Sequence, residues 1–114
     1  MQTVVDIVQT TVYTLQMLTI QKSGTFNKWL DALKDTVGRA RILDRIDRVR
    51  EGNFGDTKPV GSGVFELRFS FSPGYRVYYI RQGDTVVVLL CGGVKSSQDK
   101  DIKRAKRIAQ EYAP

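Results

Sequence analysis

The stretch from Gly61 to Gly93 leaves the fewest choices of fold, because its apolar residues recur at every second position and its breaks fall at turn formers. Within Val64–Phe71, Phe65, Leu67 and Phe69 share one parity, and Glu66, Arg68 and Ser70 share the other. A period of two is that of a strand with one buried face and one wet face. Ser72-Pro73-Gly74 ends the run with turn chemistry: proline presets φ and glycine accepts a positive φ. In Tyr75–Arg81, Tyr75, Val77 and Tyr79 oppose Arg76, Tyr78 and Ile80. After a second turn at Gln82-Gly83-Asp84, Thr85–Cys91 is apolar at nearly every position, as in a strand covered on both faces. Three consecutive antiparallel strands are therefore expected.

On such strands Glu66, Arg68, Arg76 and Tyr78 occupy the less apolar face. If the register allows, two guanidiniums, a carboxylate and a phenol converge there. Arginine forks match phosphate oxygens two at a time, so the set suits phosphate handling. The same pattern also fits a solvated sheet face carrying ordinary cross-strand ion pairs.

The whole chain has 114 residues, enough for one domain and one core. Lys and Arg number 18 against 12 Asp and Glu, a net charge of +6, which points to a polyanionic partner. The absence of histidine removes the histidine-based nucleophile pairs and most zinc sites. An enzyme built from this sequence must use Lys, Tyr, Arg, Asp or Glu for proton transfer. No metal and no small-molecule cofactor is expected. The one cysteine, Cys91, lies in the most apolar strand and reads as a small core residue. No run reaches the length of a membrane span, and the first residues lack a basic n-region and a clear cleavage site, so no membrane partner is expected and the cytoplasm is the expected compartment.

Read in order, residues 1–12 are mildly apolar and form an extension, and residues 13–114 form the domain. Val12–Ile20 alternates as a strand. Phe26, Trp29, Leu30 and Leu33 then fall at i, i+3, i+4 and i+7, an amphipathic helix in which Trp29 is a core anchor. Asp35 or Thr36 caps a second helix to about Arg50, with Ile42, Leu43, Ile46 and Val49 on its apolar side. Its other side carries Arg39, Arg41, Arg45, Arg48 and Arg50 among Asp44 and Asp47. That suits either a solvated face or a nucleic-acid backbone. Lys58-Pro59-Val60-Gly61 leads into the sheet, and no phosphate-binding glycine loop is present. A last helix, from about Ser97 to Tyr112, starts at a capping box of Ser96 and Asp99. It carries Ile102, Ala105, Ala109 and Tyr112 on one stripe, with Lys103 and Arg104 among its basic residues. Lys95 stands just before that helix, where it can serve an anion site or simply a surface loop. The order β-α-α-β-β-β-α gives an α+β fold: a helical hairpin and a C-terminal helix on a small, mainly antiparallel sheet.

This order resembles the RelE/ParE toxin superfamily, in the branch of phage Gp49-like or HigB-like addiction-module killer proteins. The residues that carry the likeness are Phe26-x-x-Trp29-Leu30-x-x-Leu33, Ala40-Arg41-Ile42, Gly52-Asn53-x-Gly55-Asp56-x-Lys58, Gly63-Val64-x-Glu66-Leu67-Arg68, Pro73-Gly74-Tyr75-Arg76-Val77-Tyr78-Tyr79, and Leu89-Leu90-x-Gly92-Gly93-x-Lys95-x-x-Gln98. The match runs from about Tyr13 to Tyr112.

The resemblance implies the toxin of a type II toxin–antitoxin pair, with a helix-turn-helix antitoxin as partner. RelE-like members cleave mRNA in the ribosome, whereas ParE-like members share the fold and poison DNA gyrase. An inactive nucleic-acid-binding relative is a third reading. By resemblance Arg76 matches the arginine placed at the scissile phosphate, Arg68 lies in a strand that carries basic residues, and Lys95 matches a basic residue after the last strand. The C-terminal tyrosine of many RelE-like nucleases has no counterpart: Asp101 falls near its place and Tyr112 lies too far along. The expected chemistry uses Glu66 or a lysine as base, Arg76 and Arg68 on the phosphate, and Tyr78 or Lys95 as acid. Lys58, Arg45, Arg48, Lys103 and Arg104 are the expected RNA-binding residues.

Overall fold

In the computed structural model, which describes residues 17–112, two side-chain caps open the helical hairpin. The Ser23 hydroxyl accepts from the Phe26 amide at 3.0 Å and starts α1, Gly24–Ala32. The same hydroxyl donates to the Leu90 carbonyl at 2.6 Å, so the cap also ties the helix to the sheet. The Asp35 carboxylate accepts from the Gly38 amide at 2.9 Å and starts α2, Thr36–Arg50. Each cap satisfies an amide that the helix itself leaves without a partner.

The strands are β1 (Thr19–Lys22), β2 (Thr57–Gly61), β3 (Val64–Arg68), β4 (Tyr75–Gln82) and β5 (Val86–Val94). They form one sheet in the order β1-β5-β4-β3-β2, with β1 parallel to β5 and every other pair antiparallel. A 3₁₀ turn at Lys95–Ser97 leads into α3, Gln98–Ala109, and a second at Gln110–Tyr112 follows it. The fold is α+β, as expected, with the helical hairpin on one side of the sheet and α3 on the other.

Hydrophobic burial divides accordingly. Phe26, Leu30, Ile42, Ile46 and Val49 from the hairpin meet Leu67, Phe69, Val77, Tyr79 and Leu89 of the sheet. On the other face Ala105, with Ile102 beside it, meets Val64, Tyr78, Val88, Leu90 and Cys91. The adjacent Leu90 and Cys91 face the same way because β5 carries a bulge: Tyr78 pairs with Cys91 while Tyr79 pairs with Leu89. Beyond the bulge Gly92 lies under the Trp29 ring and Gly93 under the Asp101 carboxylate, and a Cβ at either place collides with that group.

Four expectations change. Lys58–Gly61 belongs to a strand, not a lead-in; Pro59 is tolerated because β2 is an edge strand. β3 stops at Arg68, short of Phe71. The first strand is Thr19–Lys22 rather than Val12–Ile20; residues 12–16, and the extension at 1–12, lie outside the described residues. Ser96 and Asp99 form no capping box: Ser97 stands at the N-cap of α3, and its hydroxyl bonds the Val94 carbonyl and the Asp101 carboxylate instead.

Candidate functional site

The second face of β3 and β4 is not wet. α3 covers it, and Glu66 and Tyr78 are both 0% exposed. Cross-strand pairing sets two rows on this face: Lys58, Glu66, Tyr78 and Cys91, then Arg68, Arg76 and Gly93. Gly93 has no side chain to fill its place in the second row, so Asp101 of α3 descends there. The register thus brings Glu66, Tyr78 and Arg76 onto one face, and α3 seals part of that set.

Arg76 is 9% exposed and held from three sides. Its Nη1 donates to the Gly74 and Tyr75 carbonyls at 3.0 and 3.1 Å, and more distantly to Phe69. Its Nε stands 3.5 Å from Glu66 Oε1 without a bonding geometry. Glu66 Oε2 accepts from Gln98 Nε2 at 2.8 Å. Nη2 bonds no acceptor among the described residues. Arg76 also lines a cleft of about 440 Å³ together with Lys95, Phe69, Ser70, Pro73 and Gly74. Gly74 has φ of 80°, a turn conformation that glycine adopts freely, and its backbone passes close beneath the Lys95 side chain. The cleft therefore presents one fixed guanidinium and one exposed ammonium, a set able to neutralise charge on a phosphate.

Tyr78 lies two residues along β4 from Arg76, buried under α3. Burial pushes its hydroxyl well above the usual phenol range, with Glu66 and Asp101 adding to the effect, and the oxygen has no bonding partner. The base role expected for Glu66 and the acid role expected for Tyr78 both require contact with substrate. In this structure neither side chain reaches the surface.

Arg68 sits opposite Arg76 in register but turns away, donating to Asp56 through Nε and Nη2 at 3.2 and 2.9 Å. The bond holds the Asp56 carboxyl below its usual range and raises Arg68 in turn. Arg45 donates to the carbonyls of Phe54, Arg68 and Asp56, each within 3.0 Å, so its guanidinium clamps the loop before β2. Arg48 is exposed and pairs with Asp44. Lys58, Lys103 and Arg104 are exposed, at the sheet edge and along α3. Cys91 is fully buried, and burial pushes its thiol up to about 12.

Two residues of the site went unassigned in sequence: Gln98, which bonds Glu66, and Asp101, which fills the niche over Gly93. Gln98 stood in the quoted pattern three residues after Lys95, the only signal it gave. Among the described residues no group of acidic or sulfur side chains is arranged to hold a metal, and no helix is long and apolar enough to cross a membrane.

Residues 28–113 match the family described as phage derived protein Gp49-like. An uncharacterized protein of Haemophilus influenzae is 53% identical over 92 residues, covering 81% of this chain and 93% of that protein. Among solved structures, a free-state mutant of the E. coli toxin RelE superposes with a TM-score of 0.63 at 21% identity, covering 81% of this chain and 98% of the other. The RelBE2 toxin–antitoxin complex of Mycobacterium tuberculosis gives 0.56 at 20% identity, covering 69% and 99%. At these identities the structural likeness establishes the RelE-like fold.

Proposed function

The chain belongs to the Gp49-like family of phage-derived proteins, and from that premise we propose that it is the toxin of a type II toxin–antitoxin pair that cleaves mRNA in the ribosome. The observation that carries the reading is Arg76: a guanidinium nine-tenths buried, fixed by carbonyls and set beside Glu66, with a free edge in a cleft shared with Lys95. A cation so confined is preorganised for an anion that arrives from outside.

In this proposal the scissile phosphate enters the cleft and meets Arg76. The 2′-oxygen of the preceding ribose bonds to phosphorus as the P–O5′ bond breaks, leaving a 2′,3′-cyclic phosphate and a 5′-hydroxyl. Arg76 neutralises the added charge of the phosphorane, and Lys95 gives a proton to the departing 5′-oxygen. The 2′-proton leaves to solvent. Glu66 is a positioning residue for Arg76, held in turn by Gln98. Arg68 lies next to the cleft as a second cation once a phosphate competes with Asp56 for it. Exposed Lys58, Arg48, Lys103 and Arg104 add attraction for the RNA backbone. No strong base faces the cleft, so in-line orientation of the 2′-hydroxyl must come from the ribosome, which is where intramolecular geometry contributes most. The cytoplasm is then the site of action. A relative of the same fold in complex with its antitoxin supports an antitoxin partner, and we take that partner to be of the helix-turn-helix kind.

The test is in vitro translation with purified protein and primer extension on the mRNA. New 5′ ends that need ribosomes and disappear with Arg76→Ala are expected, at a loss of at least a hundredfold. Intact mRNA with continuing translation overturns the proposal, and inhibition of gyrase supercoiling in the same preparation assigns the ParE-like activity instead.

A further inference from the structure

A second basic depression lies just across the β3–β4 loop from the cleft. It has a volume of about 430 Å³, and its lining includes Arg41, Arg45 and Arg48 of α2, Arg68 of β3, and the loop residues Phe69 and Phe71. The three helix arginines fall at i, i+4 and i+7, so one face of α2 presents all of them to the groove. Four arginines meet two aspartates there, Asp44 and Asp56, leaving an excess of positive charge.

The arginines differ in how they are held. Arg45 is fixed over the Phe69 ring at 4.8 Å and spends its donors on three carbonyls, so it is a rigid floor. Arg41 stands 4.6 Å over the Phe71 ring and pairs with no carboxylate among the described residues. Arg48 and Arg68 each share one exposed aspartate, a partner that a phosphate displaces at little cost because exposed ion pairs are weak. The wall between groove and cleft is Phe69, Ser70 and Phe71, which line both. The two basic depressions are thus consecutive sites along one surface.

We propose that the groove continues the path of a single-stranded RNA: a strand whose scissile phosphate lies at Arg76 crosses over Ser70, and its next phosphates are bound by Arg41, Arg48 and Arg68. This rests on the RNA reading above and adds to it where the strand runs. Planar forks spaced along a rigid wall fit successive phosphates better than they fit the irregular carboxylates of an acidic protein.

The experiment is fluorescence anisotropy on the full chain with a 2′-O-methyl oligoribonucleotide, which binds but cannot be cut, over a series of salt concentrations. The double variant Arg41→Ala/Arg48→Ala alters only exposed side chains. It is expected to lose about tenfold in affinity at low salt, and its slope of log affinity against log salt to shrink by about 0.7 per phosphate contact removed. The double variant Lys28→Ala/Lys34→Ala removes equal charge elsewhere on the exposed surface and is expected to keep the wild-type slope. Equal losses in the two double variants, or no loss in the first, overturn the path. Unchanged RNA binding with weakened binding of the antitoxin also overturns it, by assigning the groove to a protein. Primer extension separates this from the nuclease reading: new mRNA ends with an unaffected groove variant sink the path alone, whereas groove-dependent binding without new ends sinks the nuclease alone.

Discussion

Glu66 shows how far a residue's environment redirects its chemistry. A carboxylate on an alternating strand reads as a base open to solvent, yet here it is sealed between Arg76 and Gln98. Its consequence is geometric: it sets where the guanidinium points. Glu66→Gln keeps the shape and removes the charge that faces Arg76 Nε. We expect a folded protein, less stable by about 1–3 kcal/mol, with mRNA cleavage reduced about a hundredfold through kcat because the cation is misplaced. Wild-type kcat in this variant, measured in the translation assay, would remove Glu66 from the site. Arg76 and Glu66 could be placed on one sheet face from sequence because strand parity is local information. The burial of Tyr78 and the bond from Gln98 could not be read that way, because both depend on how a helix distant along the chain crosses the sheet.

At the scale of elements, β2 and α3 both owe their place to tertiary pairing rather than to composition. β2 contains a proline, a glycine and two polar residues among its five, so its composition is that of a loop; only pairing with β3 makes it a strand. α3 has a thin apolar stripe amid Lys and Arg, so its composition is that of a solvated helix. It is nevertheless seated, because Gly93 opens a niche for Asp101 and Gly92 another for Trp29 on the opposite face. The glycine pair was legible as a break after the last strand, while its packing role was not. Gly93→Ala forces a methyl group into the Asp101 carboxylate, and about 1–3 kcal/mol of stability is expected to be lost to overpacking. Chemical denaturation reads this directly. A combined Gly93→Ala/Asp101→Ala variant, which clears the niche, should recover part of the loss; equal loss in both would show that the niche does not seat α3.

Over the whole molecule, charge governs the response to acid. The helical hairpin, the sheet and the final helix were legible in order, as was the basic balance, because periodicity and composition accumulate along the chain. The acid response was not, since it depends on tertiary bonds. Asp35 lies below the usual carboxylate value through the Gly38 amide and then the Tyr75 hydroxyl, and Asp56 through Arg68. With folded values below unfolded ones, the unfolded chain binds more protons in acid. The contribution of these groups is therefore full above about pH 5 and is lost as pH falls through the folded values. Denaturation midpoints should hold from neutrality to about pH 5 and fall below it, and Asp35→Asn should be less stable at neutral pH with a shallower acid limb. An unchanged acid limb in that variant would place the titration elsewhere. The bulge at Leu90 has a consequence of another kind. Because it shifts the phase of β5 by one residue, everything after it owes its side of the sheet to a single extra amino acid. Loss of one codon there would exchange the niches of Trp29 and Asp101 and turn the strand's end about its axis, with every hydrophobic residue but one still present. A three-base deletion that keeps the reading frame therefore suffices to scramble the face on which Arg76 depends.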